Sequence, residues 1–335
     1  MTAPRLDIVG IGNAIVDVIA RTDERFLDRH AMRKGSMALI DAATAQALYA
    51  AMPPGQESSG GSAANSCAVA AGLGAAVGFL GKVADDQLGA VFRHDITSIG
   101  VTYQTKPLIG GHPTARCLIL VTQDGQRTMN TYLGAGGAFA EPDLDESMIA
   151  DSAILYLEGY LFDPPAAKAA FTKAAAIARA AGRKVALSLS DAFCVDRHRA
   201  GFLQLIASSV DIVFANEAEI CSLFELAAFT DAARAAMDTI PLAVLTRSEA
   251  GSLIVQGGVQ HDIQAEATTV IDTTGAGDAY AAGFLTAYAR GKPLPACGLL
   301  GTQAASLAVI VLQRHALCSF CRSISLVYLE PSDSI

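Results

Sequence analysis

From residue 152 onward the chain alternates short apolar strands with helical stretches, and this alternation constrains the fold more than any other feature. Residues 154–157, 185–189, 212–215 and 242–246 read as brief buried strands. Stretches such as 166–181, with apolar residues at helical spacing, lie between them. Strands joined through helices pair in parallel, and a parallel sheet needs helices on both faces. Before residue 152 the pattern is richer in strands: 6–11, 36–40, 115–121 and 128–133. The length allows one large α/β domain or two smaller ones. The simplest layout is one domain over 1–335, with a small β lid drawn from about 13–50 and 101–135. Ligands of parallel sheets bind beyond the carboxyl ends of the strands. Asp191, Asn216, Thr246 and the 275–278 turn all fall at such ends.

One junction in this pattern carries chemistry. Val270-Ile271-Asp272-Thr273-Thr274-Gly275-Ala276-Gly277-Asp278-Ala279 joins a β-branched segment to a helix. That helix shows Tyr280, Ala281, Phe284, Leu285 and Tyr288 on an apolar face. The glycines let successive backbone N–H groups turn toward one point, and a helix N-terminus adds partial positive charge there. Asp278 stands in the first turn, beside this anion site. A carboxylate there is suited to take a proton from a hydroxyl that attacks a phosphoryl group. Gly-x-Gly alone would describe only a turn with an acid favouring the helix dipole. The run is not a P-loop, since no Lys-Ser/Thr follows. Nor is it a dinucleotide fingerprint, since Ala279 and Tyr280 follow Asp278 with no third glycine.

A second run lies far upstream. Ser58-Ser59-Gly60-Gly61-Ser62-Ala63-Ala64-Asn65 leads through Ala68, Val69, Ala71 and Leu73 to Gly78-Phe79-Leu80-Gly81-Lys82-Val83-Ala84-Asp85-Asp86-Gln87-Leu88-Gly89. Gly60 and Gly61 let the backbone approach a ligand closely. Asn65 offers a donor and an acceptor to a sugar hydroxyl. Alone, Gly60-Gly61 would read as a flexible loop. Together and in this order, the two runs resemble the N- and C-terminal signatures of the ribokinase-like (PfkB) carbohydrate and nucleoside kinases. The resemblance extends from about residue 6 to about residue 306.

The resemblance implies a ribokinase-like, doubly wound, mostly parallel α/β sheet with a β lid. It implies an ATP-dependent kinase that phosphorylates an alcohol group, with Mg²⁺ and a monovalent cation such as K⁺ at Asp272. Gly275, Ala276 and Gly277 then cradle the moving phosphoryl charge, and Asp278 is the catalytic base. Asn13, Asp17, Gly60, Gly61 and Asn65 hold the acceptor's sugar hydroxyls. Thr246, Gly251, Thr274 and Gly277 lie near the triphosphate of ATP. Asn216 and Glu219 organise Mg²⁺ and its waters, although their spacing is also that of a helix capping box. Arg127, in the turn Asp124-Gly125-Gln126-Arg127-Thr128, is either a solvated surface residue or a lid arginine that swings over the transferring group. Gly12-Asn13 with Asp17, and Lys34-Gly35-Ser36-Met37, look most like the bacterial adenosine-kinase-like branch. The 5′ hydroxyl of adenosine is therefore the leading acceptor. A free sugar, as for a ribokinase or fructokinase, is the alternative.

Composition excludes several other classes. Net charge is −9 with no basic stripe, which argues against a nucleic-acid partner. The expected partners are ATP and a nucleoside or sugar, for a monomer or homodimer. Arg5, Asp7 and Asp17 interrupt the first twenty residues, so no signal peptide is expected. Residues 295–313 lack charge until Arg314, but their Ala, Gly, Thr and Gln content reads as a buried helix rather than a membrane span. Seven scattered cysteines suit reduced thiols in a cytoplasm, and the close pair Cys318 and Cys321 reads as chance spacing. A dinucleotide-dependent dehydrogenase is disfavoured, because Gly10 and Gly12 lack a helix-opening third glycine. The tail, 308–335, does not resemble the family. A kinase-like fold that only binds nucleotide or sugar is thus the reading from another class.

Overall fold

The computed structural model describes residues 4–268 and 273–310. In chain order its strands are β1 (Leu6–Ile11), β2 (Ile15–Arg21), β3 (Met37–Leu39), β4 (Gln56–Gly60), β5 (Val77–Leu80), β6 (Thr102–Tyr103) and β7 (Ala115–Val121). They continue as β8 (Arg127–Tyr132), β9 (Ser152–Glu158), β10 (Lys184–Ser188), β11 (Ile212–Asn216), β12 (Leu242–Thr246), β13 (Ser252–Gln256) and β14 (Val259–Ile263).

The larger sheet has the order β14-β13-β12-β11-β10-β9-β1-β5-β6. It is parallel from β6 through β12, and β13 and β14 close its far side as antiparallel strands. The inner strands are apolar throughout because helices cover both faces. The helices Ser62–Gly72, Ala276–Ala289 and Leu294–Ile310 pack with one face, around Phe79, Tyr156, Phe214 and Phe284. The helices Pro165–Ala180, Ala192–Ser209, Glu217–Phe224 and Phe229–Thr239 pack with the other, around Leu155, Leu157, Phe171 and Phe202. Residues 295–310 thus belong to a helix whose Cys297, Leu300, Ala304 and Ala308 are in the core. No helix among the described residues is long and apolar enough to cross a membrane.

The smaller sheet has the order β3-β8-β7-β2-β4. It includes β4, which lies outside the stretches 13–50 and 101–135. Conversely β6, inside them, pairs with β5 in the larger sheet. Side chains alternate between the two faces, as strand geometry requires. Val16, Val18, Leu118 and Leu120 point into the core. The other face carries two rows defined by register. Asp17, Cys117, Thr131 and Leu39 form one, and Ile19, Ile119, Met129 and Met37 form the next.

The connectivity places a crevice. From β1 the chain builds outward through β5 and β6 on one side, and through β9 to β14 on the other. Such a reversal leaves a gap beyond the carboxyl ends of the two central strands, where ligands bind in sheets of this kind. Here those strands are β1 and β9. Gly12 and Asn13 follow β1, and Glu158 ends β9.

Candidate active site

The two glycine-rich runs come together beside this crevice. The helix Ala276–Ala289 starts after Gly275, whose φ of 78° lies in the left-handed region that favours glycine. Asp278, in its first turn, faces the start of the helix Ser62–Gly72. Ser62 Oγ donates to Asp278 Oδ1 at 2.6 Å, and Asn65 Nδ2 donates to Oδ2 at 3.0 Å. Ser66 Oγ donates to the Asp278 carbonyl at 3.0 Å. The carboxylate is therefore aimed by hydroxyl and amide groups from a segment more than two hundred residues away. Asn65 Oδ1 is buried and has no hydrogen-bond partner among the described residues, so an acceptor remains there for a ligand hydroxyl.

The glycine turn differs in one respect from the expected cradle. The Ala276 N–H donates to the Thr273 carbonyl at 3.2 Å and closes the turn, so it does not point outward with its neighbours. Gly277 is exposed, with nothing within 4 Å of where a Cβ would stand. Open space at the tip therefore lies at Gly277 and Asp278. Thr274 is exposed just before Gly275. Asp272, expected at a monovalent-cation site, lies outside the described residues.

The acceptor-side residues converge from β1, β2 and β4. Gly61 precedes the helix Ser62–Gly72 with φ 98°, and a Cβ there would collide with the Asn13 carbonyl. At Gly60 a Cβ would run into the Asp17 carboxyl group, so Asp17 stands directly over this glycine. Asn13 is 2% exposed. Its N–H and Nδ2 donate to Glu158 Oε1 at 3.2 and 2.7 Å. Glu158 Oε2 accepts the Ala63 N–H at 2.8 Å. Burial pushes the Glu158 carboxyl up to about 7, and Asp278 adds to the rise against the hydrogen bonds from Ala63 and Asn13. Neither Glu158 nor Ser62 was expected at the site. The available signals were an acid at the end of a parallel strand and a hydroxyl next to Gly61.

On the other side of the crevice, Asn216 and Thr246 are register partners at the ends of β11 and β12. Asn216 caps the helix Glu217–Phe224: its Oδ1 accepts the Glu219 N–H, and Glu219 Oε2 accepts the Asn216 N–H. The capping box is thus real, whatever else the pair does. Burial pushes Glu219 up to about 7, with Asp191 and Asp278 adding to the rise. Among the described residues no group of three or more His, Cys, Asp or Glu side chains is placed to hold a metal ion, so a Mg²⁺ near Glu219 would have few protein ligands and keep its waters. Gly251, at φ 82°, closes the link from β12 to β13, where a Cβ would collide with the Ile263 carbonyl. Arg127 opens β8 on the smaller sheet rather than at a strand end of the larger one. Burial pushes the nearby Cys117 thiol up to about 12, with Asp17 adding to the rise and the Thr131 hydrogen bond and the Arg127 charge opposing it. A cavity of about 260 Å³ lies along the smaller sheet rather than at Asp278, lined by Leu39, Ile40, His112, Thr131, Tyr132 and Leu133. Cys67, Cys117, Cys194, Cys221 and Cys297 are free thiols, and Cys318 and Cys321 lie outside the described residues.

A doubly wound sheet whose two glycine runs meet at an oriented aspartate is the framework of a small-molecule kinase. Residues 7–314 match the pfkB family of carbohydrate kinases, and the chain belongs to that family. It is an ATP-dependent kinase with an alcohol group as acceptor. A probable sugar kinase from Rhizobium etli CFN 42 is similar at 44% identity, with a TM-score of 0.88 and coverage of 97% of this chain and 99% of that one. The adenosine kinase from Sinorhizobium meliloti is 47% identical, with a TM-score of 0.87 and coverage of 96% and 99%. An ATP-dependent ribose-1-phosphate kinase from Halopiger xanaduensis is 30% identical over 239 residues, 70% of this chain and 74% of its own length.

Proposed function

We propose that this kinase transfers the γ-phosphoryl group of ATP to the 5′ hydroxyl of adenosine, with Asp278 as the base. The observation that carries the reading is the aim of Asp278 by Ser62 and Asn65, next to the glycine turn. The triphosphate runs past the ends of β11 and β12, near Thr246, Gly251, Thr274 and Asn216. The ribose is held by Asp17, Asn13, Asn65 and the backbone at Gly60 and Gly61. The 5′ oxygen attacks phosphorus as the bond to the ADP oxygen breaks, and the hydroxyl proton passes to Asp278. The N–H groups at Gly277 and Asp278, with the helix N-terminus, stabilise the spreading negative charge. Glu219 would hold Mg²⁺ through water, and the ion would supply positive charge to the phosphates. The smaller sheet acts as a lid that excludes water, and Arg127 on it adds positive charge over the moving group.

A nucleobase, rather than a bare sugar, is supported by the lid face. Beyond Asp17 and Cys117 lies the apolar row Ile19, Ile119, Met129 and Met37, in which Ile119 is buried, Ile19 and Met129 are half-buried and Met37 is exposed, so a flat base would pack on the last three. The cavity beside Leu39 and Thr131 extends the Asp17 row. The similarity to an adenosine kinase at 47% identity points the same way. The names of the other two relatives keep sugar and ribose 1-phosphate in the comparison. An ATP-consumption screen over adenosine, other nucleosides, ribose, fructose and ribose 1-phosphate tests the reading. Adenosine should give the highest kcat/KM. A sugar that outperforms every nucleoside would make this a sugar kinase, and no consumption with any acceptor would make it a binding protein.

A further inference from the structure

Three separate segments meet at one buried carboxylate where the chain reverses its direction of sheet building. Glu158 is 1% exposed at the end of β9. Oε1 takes both donors of Asn13, and Oε2 takes the Ala63 N–H. Space for it exists because residue 12 is glycine, since a Cβ there would collide with Oε2. The helix Ser62–Gly72 starts after Gly61, which has no side chain to cap it. Glu158 fills that role from another strand, satisfying an N–H of the first turn and setting a negative charge at the positive end of the helix. The same helix presents Ser62 and Asn65 to Asp278.

We propose that Glu158 is a positioning residue for phosphoryl transfer, fixing Asn13 and the first turn of the helix Ser62–Gly72 so that Ser62 and Asn65 hold Asp278 in register with the acceptor. The inference rests on the assignment of Asp278 as base. The titratable groups that face Glu158 are Asp278, Cys67 on the helix Ser62–Gly72, Tyr156 on β9 and Cys194 on the helix Ala192–Ser209. Burial raises both thiols and the phenol, so they are neutral when Glu158 ionises. A glutamine at this position replaces one of the two acceptor oxygens with a donor, next to three groups that already donate. The substitution should therefore loosen Asn13 and the helix start together.

Kinetics of Glu158→Gln and Glu158→Asp against the wild type test this, with adenosine as acceptor, or ribose if adenosine is not phosphorylated. Glu158→Gln should lower kcat/KM for the acceptor by about 10- to 100-fold, the loss expected for one or two charge-assisted hydrogen bonds. KM for ATP should change less than about twofold, and Glu158→Asp should recover part of the loss. Wild-type kinetics in Glu158→Gln, or an equal rise in KM for both substrates, overturns the proposal. A second measurement needs no turnover. Hydrogen exchange of the amides of Asn13 and Ala63, corrected for intrinsic rate, is compared between the wild type and Glu158→Gln at one pH. Both should lose protection in the variant while β10 does not, and unchanged protection overturns the proposal. Full activity in Asp278→Asn would instead overturn the base assignment and leave these readouts of Glu158 intact.

Discussion

Replacing Asp278 by asparagine removes the base while keeping nearly every atom in place. Asn65 Nδ2 donates to one Asp278 oxygen at 3.0 Å, and Ser62 Oγ donates to the other at 2.6 Å. In the variant the amide oxygen can keep the Asn65 bond. The new NH₂ faces Ser62, whose hydroxyl can rotate from donor to acceptor. No hydrogen bond of the set need be lost. Electrostatics favour the variant, because burial raises the carboxyls of Glu158 and Glu219 and the Asp278 charge adds to the rise of both. Removing it relieves both, so the melting temperature of Asp278→Asn should equal or exceed that of the wild type. Turnover should behave in the opposite way. An amide has no basic site for the hydroxyl proton, and loss of a general base typically lowers rate by about 10²–10⁴. KM for ATP should stay within about threefold, since the triphosphate does not depend on that charge. The assay is a coupled ATP-consumption rate beside a thermal melt on the same preparation. Turnover within a few-fold of wild type would refute the role, and a lower melting temperature would refute the electrostatic reasoning.

Three further outcomes follow from the same geometry. Asp17→Ala should raise KM for the acceptor by about 10-fold or more with KM for ATP unchanged, because a carboxylate bonded to sugar hydroxyls is removed; a parallel rise in both would contradict it. Gly61→Ala should lower unfolding free energy by about 2 kcal/mol or more in denaturant titration, since φ 98° is strained for alanine and its Cβ meets the Asn13 carbonyl; an unchanged midpoint would contradict it. Glu158, raised from 4.5 to about 7 on folding, binds its proton more tightly in the folded chain. Its contribution to stability is therefore greatest below the lower value and declines by roughly 3 kcal/mol as pH rises through the upper one. Melting curves of wild type against Glu158→Gln should differ in slope across that window, and parallel curves would exclude the effect.

Much of the larger sheet was legible because its strands are buried on both faces and read as plain apolar runs. The bounds expected for β1 and β12 coincide with the structure, and those of β9 to β11 differ by a residue or two. The smaller sheet was harder. β4 reads Gln-Glu-Ser-Ser-Gly, a loop by composition, and becomes a strand only through its pairing with β2. The site divides the same way. Asp278, Gly61 and Asn65 announce themselves through spacing, and Ser62 stands between two of them. Glu158 does not, because its partners lie at positions 13 and 63 and only the folded chain brings them to the end of β9. The Ala276 N–H shows the converse error: glycine-rich spacing suggested an outward donor, but closing the turn onto the Thr273 carbonyl takes it.

The product formed from ATP and adenosine tests phosphoryl transfer through Asp278 most directly. Chromatography with mass detection of the completed reaction should show adenosine 5′-monophosphate and ADP in equal amounts with wild-type protein, and neither above background with Asp278→Asn. Phosphate on the 2′ or 3′ oxygen, or unchanged adenosine in a preparation that phosphorylates ribose or fructose, would contradict it.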